Sequence, residues 1–309
     1  MRRLFFTVAA TYVLFWAPAI ANAGCGTDYW QGGWNQYWEL GANWTLGTVP
    51  QTCNDVVIPD PNKGENNPPE AGAFGPNTYR VNSLQIGVGT IGSLQIDSGS
   101  EMHIAGDFTL GNGGVMNNNG SLFVGGNGIL DRRSYLTGGG RYVFQNDLYN
   151  DSELIVPSSI NVAGTLYNEF GINVPRGTMI ATAVLDNSSS VSGLGPFGTM
   201  WVGNGSDQHY GYFQYPNGTL VEHIGSQGYG IIQADKIVVA GTLNIQLDPG
   251  FNPPVGAVYD IMTCFAGGLS GKFQHIQNSY FNNGTEQWIV VSETVQGMDL
   301  LELQAVAVQ

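Results

Sequence analysis

Reactive side chains are few in this chain and widely spaced. The four histidines, His103, His209, His223 and His275, share no metal-ligand spacing. Neither do any two of Cys25, Cys53 and Cys264, so no zinc site is expected. No G-x-S-x-G elbow presents a nucleophilic serine. Acid–base chemistry on a glycosidic bond would need two carboxylates facing one another. The nearest material is Asp131-Arg132-Arg133 with Asp147, Asp151 and Glu153. The first three read as a polar turn, and the others flank Leu148 and Leu154 as solvent-facing residues. Gly125-Gly126-Asn127-Gly128-Ile129-Leu130-Asp131 approaches a calcium-binding nonapeptide, but Asp131 falls one residue late and the pattern does not recur. No metal, cofactor or catalytic residue is assigned. The strongest candidate for a ligand surface is Gln208-His209-Tyr210-Gly211-Tyr212-Phe213-Gln214-Tyr215, where His209, Tyr210, Tyr212 and Tyr215 crowd together. A long turn in an irregular coil is the structural alternative there.

The elements that would position such residues follow a period. Leu84-Gln85-Ile86, Met102-His103-Ile104, Leu122-Phe123-Val124, Tyr142-Val143-Phe144 and Ile160-Asn161-Val162 are apolar–polar–apolar triplets followed by glycine or a polar turn. A looser series, Phe108, Leu130, Leu148 and Leu166, lies between them. Period-two alternation marks strands with one buried face. Strand groups returning about every 20 residues, without helical stretches between them, mean stacked coils. The fold class is therefore all-β: a right-handed parallel β-solenoid (β-helix), with right-handedness expected from the chirality of crossover connections. Asn117-Asn118-Asn119-Gly120 reads as a turn whose asparagines could bond between coils.

Residues 1–23 read as a signal peptide. Arg2 and Arg3 precede an apolar run from Leu4 to Ile20, and Ala21-Asn22-Ala23 is a small-residue cleavage signal. Asn22 stands where a lipidation signal before Cys25 would want an aliphatic residue. Acidic residues outnumber basic ones by 24 to 10, and removal of Arg2 and Arg3 takes the formal charge from −14 to −16. That balance argues against nucleic acid and anionic membranes as partners, since both select for Lys and Arg. In an oxidising compartment Cys25 and Cys53 could close a disulfide loop, leaving Cys264 as a buried thiol. Several N-x-S/T sequons, among them Asn43, Asn119, Asn187, Asn204, Asn217 and Asn283, would matter only in a eukaryotic secretory pathway.

Residues 24–80 form an N-terminal cap and loop, 81–247 the coils, and 248–309 a β-rich closing segment. The stretch Trp38, Gly41-Ala42-Asn43-Trp44, Gly47-Thr48-Val49-Pro50 and Asp55-Val56-Val57-Ile58 resembles the opening of bacterial secreted and cell-surface β-solenoid proteins, namely autotransporter-like passengers and exosortase-sorted surface proteins. The ending, Tyr259-Asp260-Ile261-Met262 through Leu300-Leu301-Glu302-Leu303, resembles their terminal coils. The resemblance implies that the aromatic N-terminal segment caps the first coil, where apolar core and unpaired edges would otherwise meet water. A sugar-stacking platform of Trp30, Trp34 and Trp38 is the competing reading. Residues 60–80, rich in Pro and Asn, read as a surface loop.

The expected function is that of a secreted or cell-surface structural, adhesin-like protein presenting an extended polar face to extracellular polysaccharide or matrix. A carbohydrate-active enzyme (polysaccharide lyase or hydrolase) on a β-helix, and a glycan-binding module, are the alternatives.

Overall fold

The computed structural model describes residues 25–33, 35–59, 68–89, 91–155, 158–175, 178–194, 199–203 and 210–308. They form a parallel β-solenoid of about seven turns, whose regular secondary structure is nearly all β. The signal-peptide region lies outside the described residues. No helix among those described is long and apolar enough to cross a membrane.

Each coil contributes strands to three faces. The first runs through Thr78–Val81, Glu101–Ile104, Ser121–Val124 and Arg141–Phe144, in register, into the longer strands Ser159–Asn168 and Met179–Asn187. Its inward row is Tyr79, Met102, Leu122, Tyr142, Ile160 and Ile180, all buried. Four of these belong to the triplets whose spacing announces the fold. Leu84 does not: it sits on the second face and pairs with Phe108. Tyr79 takes its place, because strands Glu70–Ala71 and Thr78–Val81 occupy the end of the segment expected to be loop.

The second face begins at Thr27–Tyr29 and Asp55–Ile58 and climbs through Ser83–Ile86, Phe108–Leu110, Gly128–Leu130 and Leu148–Asn150. The parallel ladder continues on this face to Leu269–Gly271. It thus runs beyond residues 81–247 at both ends. Gly128 stands in register with Phe108 and Leu148, where the period calls for a bulky residue. A Cβ there would strike the Phe144 ring and the Leu148 side chain. The ring of Phe144, in contact with Phe108, already fills that volume, so a large residue on one face is matched by none on the next.

The third face stacks Glu70–Ala71, Ser93–Ile96, Val115–Asn118 and Tyr135–Thr137, then Glu153–Ile155 through Thr242–Leu247 to His275–Gln277. Asn117 and Asn118 are therefore strand, and the turn falls after them. Asn118 is buried because its amide works inside the corner, donating to the Arg141 carbonyl at 2.9 Å and accepting from Gly120 N–H at 3.0 Å.

One inward column changes character halfway. Ile58, Ile86, Leu110, Leu130, Asn150, Asn168, Asn187 and Gln214 lie in register and are all buried. The amide of Asn150 donates to Asn168 Oδ1 at 3.0 Å and to the Gly171 carbonyl at 2.9 Å. Asn168 repeats this one coil on, with Asn187 Oδ1 at 2.8 Å and the Ser190 carbonyl at 2.9 Å. At the end, Tyr212 OH donates to Gln214 Oε1 at 2.6 Å, and the Gln214 amide reaches the Ala240 and Thr242 carbonyls. The ladder answers the cost of burying amides by giving each of them partners.

The two ends close differently. At the first coil Trp30, Trp38 and Trp44 are buried and pack edge-to-face, with centroids 5.0 and 4.6 Å apart, and Trp38 rests on Tyr79. Buried rings cannot serve as a sugar platform, so Trp30 and Trp38 form a cap; Trp34 lies outside the described residues. The Cys25–Cys53 disulfide ties this segment together. At the far end Val258–Phe265 pairs antiparallel with Met298–Ala307, which pairs with Glu286–Val295. Cys264 is a buried free thiol, pushed up to about 11 by burial and by nearby Asp299.

Candidate functional site: a tyrosine and carboxylate row on the second face

Side chains that alternate with the buried column point outward and stack from coil to coil. On the second face, successive register partners are Thr109, Ile129, Tyr149, Tyr167, Asp186 and Phe213. Tyr149 and Tyr167 stack with ring centroids 4.9 Å apart and planes within 8°. Tyr149 is 41% exposed and Tyr215, just past Phe213, is 46% exposed. The Tyr215 hydroxyl is turned to the Asp186 carboxylate, whose charge holds the phenol above its ordinary value. Burial raises Asp186 in turn, and the Tyr215 hydrogen bond opposes that shift. Lys236 lies 5.9 Å from the Phe213 ring centroid.

The corner beside this row is fixed by a second ladder. Asp107 Oδ1 accepts from Asn127 N–H at 2.8 Å, Asn127 Oδ1 from Asp147 N–H at 3.2 Å, and Asp147 Oδ1 from Thr165 N–H at 2.7 Å. These acceptors cap one turn per coil, and the uncharged Asn127 separates the two carboxylates. Asp147 is thereby held next to Tyr149. Asp151 is instead engaged by Arg132, 3.1 Å away, in the exposed pair that makes Asp131-Arg132-Arg133 a turn, with Arg133 at φ 59°. Exposed pairs of this kind contribute about 0–1 kcal/mol.

Of the four residues expected to form a ligand surface, Tyr215 is exposed and lies beside Asp186 and Tyr167. Tyr210 is half-buried, one residue before strand Gly211–Gln214. Tyr212 is a correction. It is fully buried, its hydroxyl closes the amide ladder, and burial pushes its phenol far above the ordinary value. Its apolar-row position, in register with Leu185 and Ile237, requires this. His209 lies outside the described residues.

Carboxylates do converge elsewhere, at residues the sequence does not single out. Glu70 and Asp97 share a hydrogen bond beside Glu39, and burial followed by the Asp97 contact raises Glu70. Gln36 donates to Glu70, while Glu39 accepts from Tyr79 OH and from Gly72 N–H at 2.9 Å. Carboxyls in direct contact leave no gap for a sugar ring or a water between them, which glycoside hydrolysis requires. The Glu39 contacts fasten the cap to the first coil. A cleft of about 500 Å³ between the last coil and the terminal hairpin is lined by Val239, Leu269, Phe273 and Ile276, with Lys272 and Glu293 at its rim. Among the described residues no group of three His, Cys, Asp or Glu side chains is placed to hold a metal ion.

The row can therefore exchange hydrogen bonds through phenol edges and carboxylates, repeating at the coil rise. Compared with known families and with curated proteins, the chain matches no family model and no curated sequence, and the reading of this row rests on its own residues.

Proposed function

We propose that this is a secreted or cell-surface structural protein that works by presenting the second face to extracellular glycan or matrix. The observation that carries the reading is the outward row Tyr149, Tyr167, Asp186 and Phe213, one position per coil, with Tyr149 exposed and the other three half-buried. Repeated weak contacts along such a row add up through effective concentration. Export fits the Cys25–Cys53 disulfide and the signal-like start of the sequence. The resemblance of the opening and closing segments to bacterial surface β-solenoid proteins points the same way.

The test is a screen of the purified mature protein against neutral and acidic polysaccharides, reading retention together with new reducing ends or unsaturated products. Retention without products is expected. Turnover that disappears when one acidic residue is replaced, with folding intact, would replace this reading with the enzymatic one.

A further inference from the structure

Resting on that reading, we propose the ligand's class and its pose: an uncharged polysaccharide chain lying along the solenoid axis over Tyr149, Tyr167, Asp186 and Phe213, one sugar ring per coil. Three features of the row support this. The first is its pitch. Register partners on successive coils are separated by a strand spacing of about 4.8 Å, and the Tyr149–Tyr167 centroids stand 4.9 Å apart. That spacing is close to the length one pyranose ring occupies along an extended glycan, so a polymer and the row repeat together.

The second feature is chemistry. The stacked phenols cover one another's inner faces, leaving their hydroxyl edges to meet a ligand that lies along the axis. Phenol hydroxyls exchange hydrogen bonds with sugar hydroxyls, and the Asp186 carboxylate accepts from vicinal hydroxyls in charge-assisted bonds. The row offers both kinds of group on successive coils.

The third is charge. Asp147 and Asp186 flank the tyrosines, Lys236 sits over Phe213 at the row's far end, and the whole chain carries a formal charge of −14. A polyuronate or sulfated chain would lay its negative groups against two carboxylates. An uncharged chain meets no such penalty.

The experiment is calorimetric titration of the mature protein with unsubstituted β-1,4-linked glucose oligomers of increasing length, alongside polygalacturonate. Affinity should rise with each added ring up to four, matching the row's four positions, and then level off. Tyr167→Ala should weaken the longest oligomer roughly tenfold and flatten the length dependence. Tyr149→Ala, at a 41% exposed side chain, is the companion variant should Tyr167→Ala fold poorly. Length-independent binding, binding to polygalacturonate alone, or neutral-glycan binding untouched by both variants overturns the pose and class while the general reading survives. Retention of no polysaccharide of any kind overturns both.

Discussion

The aliphatic and amide halves of one inward column solve the same packing problem by different means. Ile58, Ile86, Leu110 and Leu130 fill space without directional bonds, whereas Asn150, Asn168, Asn187 and Gln214 are tied coil to coil. Apolar contacts change little if a coil shifts, because any methyl group satisfies its neighbour. An amide ladder has one register in which every donor and acceptor is used, so a shift leaves buried groups bare. The aliphatic half thus supplies most of the transfer free energy, and the amide half supplies most of the register.

The sharpest way to break this contrast is a swap that keeps shape and removes bonding. Asn168→Leu strips one partner each from Asn150, Asn187 and the Ser190 carbonyl. At about 1–2 kcal/mol per group the loss should total about 4 kcal/mol in urea unfolding. A cost no greater than that of a conservative swap in the aliphatic half would show that the amides do not set register.

Next in size is the clamp at the aliphatic end. Reducing Cys25–Cys53, which are 28 residues apart, should cost about 3–4 kcal/mol on chain-entropy grounds. Hydrogen exchange should then rise first in the coils carrying Ile58 and Ile86, while Asn168 and Asn187 stay protected. Uniform loss of protection would mean that the two halves open as one unit. In the unreduced native protein, Cys264 should resist thiol reagents until denaturation, because its burial keeps it protonated.

Glu222 tests whether burial of a polar group helps only when its bonding is complete. It is fully buried, Oε1 accepts from Gly230 N–H at 3.1 Å, and Oε2 has no partner among the described residues. Burial raises it well above the ordinary carboxylate value. Below that ordinary value the side chain is neutral in both folded and unfolded chains and costs nothing in charge. As pH rises through it, the unfolded chain ionises while the folded one resists, so stability falls until the folded group also ionises. Glu222→Gln should therefore stabilise the protein at neutral pH, by about 1–3 kcal/mol, and change little in acid. Equal effects at both pH values would remove the carboxylate as the cause. The smallest effect belongs to Leu110→Met, expected below about 1.5 kcal/mol because volume is conserved and no bond is lost.

The fold was legible because the triplets at Met102, Leu122, Tyr142 and Ile160 combine a two-residue alternation with a recurrence of about one coil, and only stacked strands satisfy both. Tryptophan-rich capping was legible for a similar reason, since so many large apolar rings need burial. The amide ladder was hidden. Asn150, Asn168 and Asn187 sit where the alternation demands an apolar residue, and in a sequence they read as turn formers. Tyr212 misled in the opposite direction: its aromatic neighbours suggested a surface, whereas the parity of its strand, read from Leu185, puts it inside. The Tyr149–Tyr167–Asp186 row was invisible until register was known, because its members are separated by whole coils and join only through pairing. The Glu70–Asp97 pair was missed for the same reason, with the added obstacle that Glu70 fell in a segment expected to be loop.

The ladder's geometry also bears on how the chain winds. Asn150 and Asn168 are 18 residues apart, and Asn168 and Asn187 are 19 apart, so each bond closes a loop of only one coil. Loops of that length carry a modest closure entropy, and a solenoid can grow by adding one coil to an edge already formed. Growth from the tryptophan-capped end reaches the aliphatic coils first, where a slipped strand would still find apolar neighbours. At Asn150 the next coil must present its own amide at the right height or leave a buried donor bare. The ladder is thus a kinetic checkpoint: a winding error made earlier is met there by a rise in energy, while the misplaced coil is still at the growing edge and can be withdrawn.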